Sequence, residues 1–292
     1  MNSTGNIPAK TKPAFRYYWL LMRPANLGII LLTMTLFMFH AAEWNIKDIR
    51  WPESLTVILA VLFVAAGGYV INDIFDIEED IINKPEKRII AKHLSVRSGN
   101  LFYAFLLISS LIAGFATGWA MGLLCIVMNV LLYFYASDLK GSNLWGNLLV
   151  SFMNGMVVFT SGWGALKIFN GYFAEYALMA FLITLAREIV KDMEDIEGDR
   201  AQEYETFPIA YGMNKAVWLG MSVLTALNVL ILLIMVLAGS LWFNLYMIAA
   251  VILPVFYFYY SLLSAGEKAD YSRLQKQMKL LMVTGLLSVV LI

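Results

Sequence analysis

The sequence changes abruptly from apolar to acidic within residues 61–80, which read VLFVAAGGYVINDIFDIEED. A helix needs roughly 20 apolar residues to cross the hydrocarbon core of a bilayer. The apolar run that begins near residue 54 ends at Asn72 and Asp73, where the acidic stretch starts. This pattern predicts a membrane-spanning helix with a cluster of carboxylates at its end.

The rest of the chain shares this apolar character. Of its 292 residues, 60% are hydrophobic and 14% are charged, with a mean hydropathy of +0.71. The single cysteine, Cys125, excludes an internal disulfide, and a formal net charge of zero gives no indication of nucleic-acid binding. We predict an all-α integral membrane protein with about nine spanning helices, near residues 25–42, 54–72, 101–119, 121–136, 145–166, 172–189, 215–238, 241–263 and 277–292.

Lysine and arginine positions predict the orientation, because positively charged residues stay in cytoplasmic loops. Of the 21 lysine and arginine residues, 18 fall in the N-terminal segment or in every second connection between spans. The last of these connections is expected to contain Lys276 and Lys279. The intervening connections hold only Lys47, Arg50 and Lys167. Nine spans with a cytoplasmic N-terminus satisfy this asymmetry, so we expect a multi-pass protein of the cell membrane.

A second acidic stretch, KDMEDIEGD at residues 191–199, matches the first in register. Each of its aspartates follows its counterpart in the first stretch by 119 residues, and both stretches fall in connections predicted to be cytoplasmic. On a helix, positions i, i+3 and i+7 lie on one face, so each set of carboxylates is expected to point into one space. The two sets are Asp73, Asp76 and Asp80, and Asp192, Asp195 and Asp199.

Two chemical interpretations of these stretches are open. Stacked carboxylates repel one another unless a cation intervenes, and oxygen ligands of this kind suit Mg²⁺, which is usually held by one or two carboxylates plus substrate phosphates. A site at the membrane edge suits a ligand with a charged head and an apolar tail, such as an isoprenoid diphosphate. The alternative is that both stretches are solvated loop faces. The shared register favours the metal site.

Four motifs resemble those of the UbiA-type intramembrane prenyltransferases, and they cover essentially the whole chain. The motifs are Asn72-Asp73-x-x-Asp76-x-x-x-Asp80, Asp192-x-x-Asp195-x-x-x-Asp199, Arg23-Pro24-x-Asn26 and Tyr135-Ala136-Ser137-Asp138-Leu139-Lys140. The resemblance implies nine transmembrane helices around a central cavity, dependence on Mg²⁺, and transfer of a prenyl group from its diphosphate. Because both acidic stretches fall in connections predicted to be cytoplasmic, we expect the active site to face the cytoplasm.

The resemblance also implies roles for individual residues. The six aspartates of the two acidic motifs are expected to hold Mg²⁺ and the diphosphate. Catalytic roles are expected for Asp73, Asp76, Asp192, Asp195, Lys140 and Tyr135. Substrate-binding roles are expected for Arg23, Asn26, Asn72, Lys84, Lys87, Arg88, Arg187 and Lys191.

The acceptor is the open part of this prediction. The second motif is similar to that of family members that attach a geranylgeranyl chain to a glycerol phosphate ether lipid. Related Glu-Gly-Asp endings occur in members that prenylate aromatic or chlorophyll-like acceptors. The loop at residues 86–93 departs from the family's Pro-rich turn, and its basic residues suit an acceptor that bears a phosphate. A divalent-cation transporter is the alternative from another class.

The domain organisation follows from the same features. Residues 1–24 are predicted to form an N-terminal cytoplasmic segment, and residues 25–292 a single transmembrane domain. The shared register suggests two similar halves, about 25–136 and 145–263, followed by a last helix. An aromatic run at residues 256–260 either lines the tunnel for the prenyl chain or packs at the membrane interface.

Overall fold

The computed structural model of the protein describes residues 14–83, 88–165 and 171–292. These residues form thirteen α-helices and no strand. The helices are α1 (Ala14–Leu21), α2 (Pro24–Ala41), α3 (Trp51–Phe75), α4 (Ile77–Asn83), α5 (Val96–Thr117), α6 (Trp119–Phe134), α7 (Trp145–Ala165), α8 (Gly171–Ala201), α9 (Phe207–Tyr211), α10 (Met213–Ala238), α11 (Leu241–Met247), α12 (Leu253–Ser264) and α13 (Lys268–Leu287). The all-α prediction is confirmed for this part of the chain.

Seven helical segments of the described chain are long and apolar enough to cross a membrane. They are α2, α3, α5, α6 with its extension to Leu139, α10, α11 with α12, and α13 with its extension to Leu291. Helices α7 and α8 coincide with two further predicted spans but fall outside this set. Asn147 and Asn154 lie on α7, and the charged residues Glu175, Arg187 and Glu188 lie on α8. Seven of the nine predicted spans are therefore supported.

The helices pack side by side into one bundle. Helix α3 contacts α5, α6 and α7, while α8 contacts α7, α10 and α13. Helix α2 contacts both α7 and α13, which closes the ring. The largest group of buried apolar residues lies between α8, α10 and α13 and includes Ile189, Leu224 and Met278. The short helix α1 packs on this bundle through Leu21, which is fully buried beside Val70.

A glycine sets the close contact between α7 and α8. A Cβ atom added at Gly155 would lie 2.9 Å from the backbone carbonyl oxygen of Ala177. A backbone atom cannot move aside as a flexible side chain can, so only glycine permits this separation of the two helices. The contact matters for the site because both helices carry polar residues toward the cavity described below.

The two acidic motifs differ in backbone structure. The second lies within α8, a continuous helix of 31 residues, so Asp192, Asp195 and Asp199 share one helical face as predicted. In the first, α3 ends at Phe75 and α4 begins at Ile77, with Asp76 in the turn between them. Asp73 and Asp80 therefore belong to different helices, although hydrogen bonds from the backbone N–H groups of Asp76 and Asp80 to the carbonyl oxygens of Asn72 and Asp76 continue across the turn.

The aromatic run at residues 256–260 lies on α12, away from the cavity. Phe258 is buried in the large apolar core, whereas Phe256 and Tyr260 are exposed on the outside of the bundle. None of these three residues lines the cavity. The tunnel interpretation is therefore wrong for them, and packing with exposure to the membrane interface is the better account.

Candidate active site

A cavity of about 270 Å³ lies inside the bundle. Its walls come from α2, α3, α6, α7, α8 and α13. One end is polar and is lined by Arg23, Asn72, Tyr135, Arg187 and Lys191. The remaining wall is mostly apolar. A chamber of this kind can hold a molecule with a charged head and an apolar tail.

The polar end of the cavity leads directly to the first acidic motif. The Arg23 guanidinium lies 2.6 Å from Oδ1 of Asp73 and 5.1 Å from the centre of the Tyr69 ring. The side-chain amide of Asn72 donates a hydrogen bond to Asp76. Lys140 contacts the other oxygen of Asp76 at 2.7 Å. The first motif is thus fixed by two cations and an amide that belong to three different helical segments.

A π-helical turn positions Lys140. Helix α6 continues as a π-helix over Tyr135–Leu139, and the backbone N–H of Lys140 donates to the carbonyl oxygen of Tyr135 over 2.9 Å. This i to i+5 hydrogen bond stacks Lys140 above Tyr135. In an ordinary α-helix, residues five apart point about 140° away from each other. The turn therefore lets Tyr135 line the cavity while Lys140 reaches Asp76.

An amide and a hydroxyl group hydrogen-bond to two carboxylates of the second acidic motif. Asn147 on α7 donates to Oδ2 of Asp192 over 2.7 Å, and the Thr206 hydroxyl donates to Asp199 over 3.3 Å. Burial raises the pKa of Asp192 to about 8, although the Asn147 hydrogen bond and the Lys191 charge act in the opposite direction. The Glu188 carboxylate raises the pKa of Lys191 well above its ordinary value. A carboxyl group with such a pKa is one whose charge an additional cation would stabilise.

Helix α13 supplies part of the site that sequence reasoning missed. Gln275 accepts a hydrogen bond from Arg187 over 3.2 Å and donates one to Glu194. Lys279, expected in a cytoplasmic loop, instead lies within α13 and lines the cavity, where it donates to Asn26. These residues are four apart on one helix, and cavity-lining Met282 continues the same face. This helical spacing is the feature of the sequence that could have predicted a cavity-facing side of α13.

Burial separates the two interpretations of the acidic stretches. Asp76, Asp195 and Asp199 are only 6%, 4% and 4% exposed. Carboxylates on a solvated loop would face water, and burying a charge is costly unless it is paired. The solvated-loop alternative is therefore wrong for these three residues.

The structure brings some of the predicted substrate-binding residues together and leaves others apart. Arg23, Asn26, Asn72, Arg187 and Lys191 all line the cavity. Arg88 does not line it. Two more predicted residues, Lys84 and Lys87, lie outside the described part of the chain.

The donor set at the polar end fits a hard cation shared with a substrate. Among residues 14–83, 88–165 and 171–292, no three histidine, cysteine or carboxylate side chains are close enough to form a metal site alone. A Mg²⁺ ion typically needs only one or two carboxylates when phosphate oxygens complete its shell. Oδ1 of Asn72 is buried and accepts no hydrogen bond from the described residues, so it remains available as an oxygen donor beside Asp73 and Asp76.

Comparison with known proteins gives a consistent picture. The profile of the "UbiA prenyltransferase family" matches residues 29–283. The digeranylgeranylglyceryl phosphate synthase of Methanosphaera stadtmanae is 29% identical over 270 residues, which cover 92% of this chain and 96% of the relative. The enzyme of the same name from Methanobrevibacter smithii is 36% identical over 200 residues, which cover 66% of this chain and 68% of the relative.

Solved structures share the architecture. A structure described as concerning digeranylgeranylglyceryl phosphate synthase in membranes is 27% identical, with a TM-score of 0.73 and coverage of 95% of this chain and 97% of the other. A UbiA homolog from Archaeoglobus fulgidus bound to DMAPP and Mg²⁺ is 17% identical, with a TM-score of 0.66 and coverage of 94% and 99%. At that identity the second likeness shows the fold alone.

The helical bundle, its amphipathic cavity and these matches define a multi-pass membrane prenyltransferase. The chain belongs to the UbiA prenyltransferase family.

Proposed function

We propose that the protein transfers a geranylgeranyl group from its diphosphate to geranylgeranylglyceryl phosphate, in a Mg²⁺-dependent step of membrane lipid synthesis. The observation that carries this proposal is the cavity, in which a cationic polar end beside both acidic motifs continues into an apolar interior. The first relatives compared are named digeranylgeranylglyceryl phosphate synthases, which supports a glycerophosphate lipid as the acceptor.

The apolar interior suits substrates with long hydrocarbon tails. A second apolar cavity, of about 80 Å³, adjoins the first. Five residues line both cavities: Ile29, Ile30, Asn154, Val157 and Met282. Apolar walls also exclude water, which would otherwise capture an allylic cation as an alcohol.

The cationic residues stabilise the leaving group. When the C1–O bond of the donor breaks, the electron pair stays with the diphosphate, which gains negative charge. Arg23 and Lys191 line the polar end, and Lys140 lies beside Asp76, so all three are placed to attract that charge. The acceptor hydroxyl oxygen then forms the new bond to C1 and releases its proton.

The aspartates are proposed to hold the metal. Mg²⁺, when bound, would supply positive charge to the diphosphate oxygens. Asp73, Asp76 and Asp80 on one side, with Asp192, Asp195 and Asp199 on the other, are the proposed carboxylates. The oxygen of Asn72 assists the first group.

The membrane arrangement is also a proposal. Nine spanning helices, with α7 and α8 added to the seven apolar segments, place the N-terminus and both acidic motifs on the cytoplasmic side. The 119-residue spacing between the motifs further supports an origin from two similar halves.

The test uses purified protein in lipid nanodiscs with labelled geranylgeranyl diphosphate and Mg²⁺. We expect product with geranylgeranylglyceryl phosphate, and no turnover when the divalent cation is chelated. Product with an aromatic acid, and none with the phosphate lipid, would assign the protein to the quinone or chlorophyll-like branch instead.

A further inference from the structure

Lys279 is a cation within a membrane-spanning helix. It lies in the apolar segment Lys268–Leu291, next to buried Met278 and on the cavity-lining face that also carries Met282. Ionisable residues in such segments are costly, and they usually face a cavity and serve a substrate or ion. The position of Lys279 therefore needs a functional explanation.

Its pairing differs from that of the other cations at the polar end. Arg23 contacts Asp73, Lys140 contacts Asp76, and Lys191 contacts Glu188. Within the described chain, the Lys279 ammonium has only the neutral amide oxygen of Asn26 as its partner. It also lies close enough to Arg187 and Arg23 to be repelled by both. An anion placed between these groups would relieve the repulsion.

Arg187 is the second cation that faces this space. One of its nitrogens contacts Glu188 at 2.5 Å, and another donates to Gln275. Its Nε atom is buried and has no hydrogen-bond partner among the described residues. Gln275 lies one helical turn before Lys279 and is itself held by Glu194. Gln275 thus acts as a positioning residue that keeps Arg187 beside Lys279.

Two polyanionic substrates in one cavity require two sets of cations. The donor diphosphate belongs beside the aspartate motifs, where Lys140 and Lys191 lie. A phosphate monoester carries a charge of about −1.5 to −2 at neutral pH and would be repelled by the diphosphate. The acceptor phosphate therefore needs other cations, ones that are not already paired with carboxylates of the metal-binding motifs.

We propose that Lys279, with Arg187 and Asn26, forms the binding site for the phosphate of the acceptor lipid. The inference rests on the proposed function, because that function supplies the phosphate-bearing acceptor. It places recognition of the acceptor head group on α13 and α2, within the membrane-embedded bundle. It thereby replaces the basic loop around Arg88 as the main determinant of a phosphate-bearing substrate.

The experiment compares geranylgeranylglyceryl phosphate with geranylgeranylglycerol, which lacks only the phosphate. Equilibrium binding of each is measured in nanodiscs, without donor and without Mg²⁺. We expect Lys279→Met to weaken binding of the phosphate lipid about tenfold, the scale of one charge-assisted hydrogen bond, and to leave binding of the alcohol unchanged. Lys279→Arg should retain binding. Lys276→Gln, an exposed change on the same helix, is the matched control.

Steady-state kinetics provides the second measurement. Lys279→Met should raise the KM for the acceptor about tenfold and change the KM for geranylgeranyl diphosphate less than twofold. Equal increases in both KM values would assign Lys279 to the diphosphate, and equal weakening of both lipids in the binding assay would indicate a purely structural role. Either result overturns the inference, as does an unchanged variant.

The two proposals fail in different ways. Wild-type protein that uses an aromatic acceptor and neither binds nor prenylates the phosphate lipid contradicts the proposed function, and the phosphate site with it. Wild-type turnover of the phosphate lipid together with an unaltered Lys279→Met variant contradicts the phosphate site alone.

Discussion

Asp76 is the residue on which most contacts of the first acidic motif converge. It accepts a hydrogen bond from Asn72, forms an ion pair with Lys140, and is almost fully buried. We expect Asp76→Asn to lower kcat by about 100-fold or more, because removing a preorganised electrostatic group from an active site typically costs 10²–10³-fold. Activity is measured with saturating Mg²⁺ in nanodiscs.

Asp138→Asn is the control for this change. Asp138 lies in the π-helical turn beside Lys140 but is exposed, and its carboxylate accepts a hydrogen bond from the neighbouring Ser137. It should retain activity within about twofold. Comparable losses in both variants would show that charge near this membrane edge, rather than the site itself, determines turnover.

The Lys140–Asp76 pair permits a separate test of stability. Their side chains are 12% and 7% exposed, so removing one partner takes a counter-ion away from a buried charge. We expect Lys140→Met to lower the free energy of unfolding by about 3 kcal/mol. The double variant Lys140→Met/Asp76→Asn should recover most of that stability and none of the activity, as judged by denaturant titration in detergent alongside the transferase assay. A double variant that is no more stable than Lys140→Met would contradict the pairing.

Sequence patterns predicted the polar site residues near the acidic motifs better than those on other helices. Arg23, Asn72 and Lys191 lie next to motif aspartates in sequence or on a recognisable motif, and all three line the cavity. Gln275 and Lys279 were missed because α13 begins with several basic residues that resemble a cytoplasmic loop. Only the fold shows that its Lys279 face turns inward.

At the scale of helices, the contact between α7 and α8 controls the second motif. Asn147 on α7 holds Asp192 on α8, and Gly155 permits the close approach of the two helices. We expect Gly155→Val to lower the free energy of unfolding by about 1–3 kcal/mol, since overpacking forces backbone shifts. It should also reduce turnover, because the shift moves Asn147 away from Asp192. Thermal unfolding and the transferase assay measure the two effects.

Gly28→Ala provides the comparison. Nothing lies within 4 Å of a Cβ atom added at Gly28, and alanine favours a helix over glycine by up to about 1 kcal/mol. This variant should be as stable as the wild type or slightly more stable. If Gly155→Val behaves in the same way, the close contact is not required.

The break at Asp76 and the charged residues of α8 show where periodicity fails. The first motif has the same aspartate spacing as the second, yet one is broken and the other continuous. Spacing reports which residues share a face only if the helix continues. In α8, Arg187 and Glu188, which line the cavity, also lower the apolar signal of a span.

At the scale of the whole molecule, orientation in the membrane can be tested by labelling. The only cysteine, Cys125, is buried and can be replaced by alanine as a background. Lys47→Cys and Lys276→Cys introduce exposed thiols. With a membrane-impermeant maleimide, we expect Lys47→Cys to react from outside intact cells and Lys276→Cys only in inside-out vesicles. Reaction of both from the same side would contradict the nine-span topology.

The cavity as a whole could not be derived from the sequence. Several of its helices, α3 above all, are apolar on every side, so their patterns do not show which neighbour each face contacts. Long apolar runs predicted the class of fold, and motifs predicted which chain segments meet. The ring of α2, α3, α6, α7, α8 and α13 arises from tertiary packing that periodicity does not encode.

The π-helical turn at Tyr135–Leu139 makes the length of this segment as important as its composition. Loss of one residue here would allow an ordinary α-helix to form, with more regular hydrogen bonding. The same loss would leave Lys140 four positions after Tyr135 and on the same face of that α-helix, so it would still point toward Asp76, whereas one inserted residue would turn it by about 100°. Among descendants of this gene, single-residue insertions in this segment should therefore be rarer than single-residue deletions.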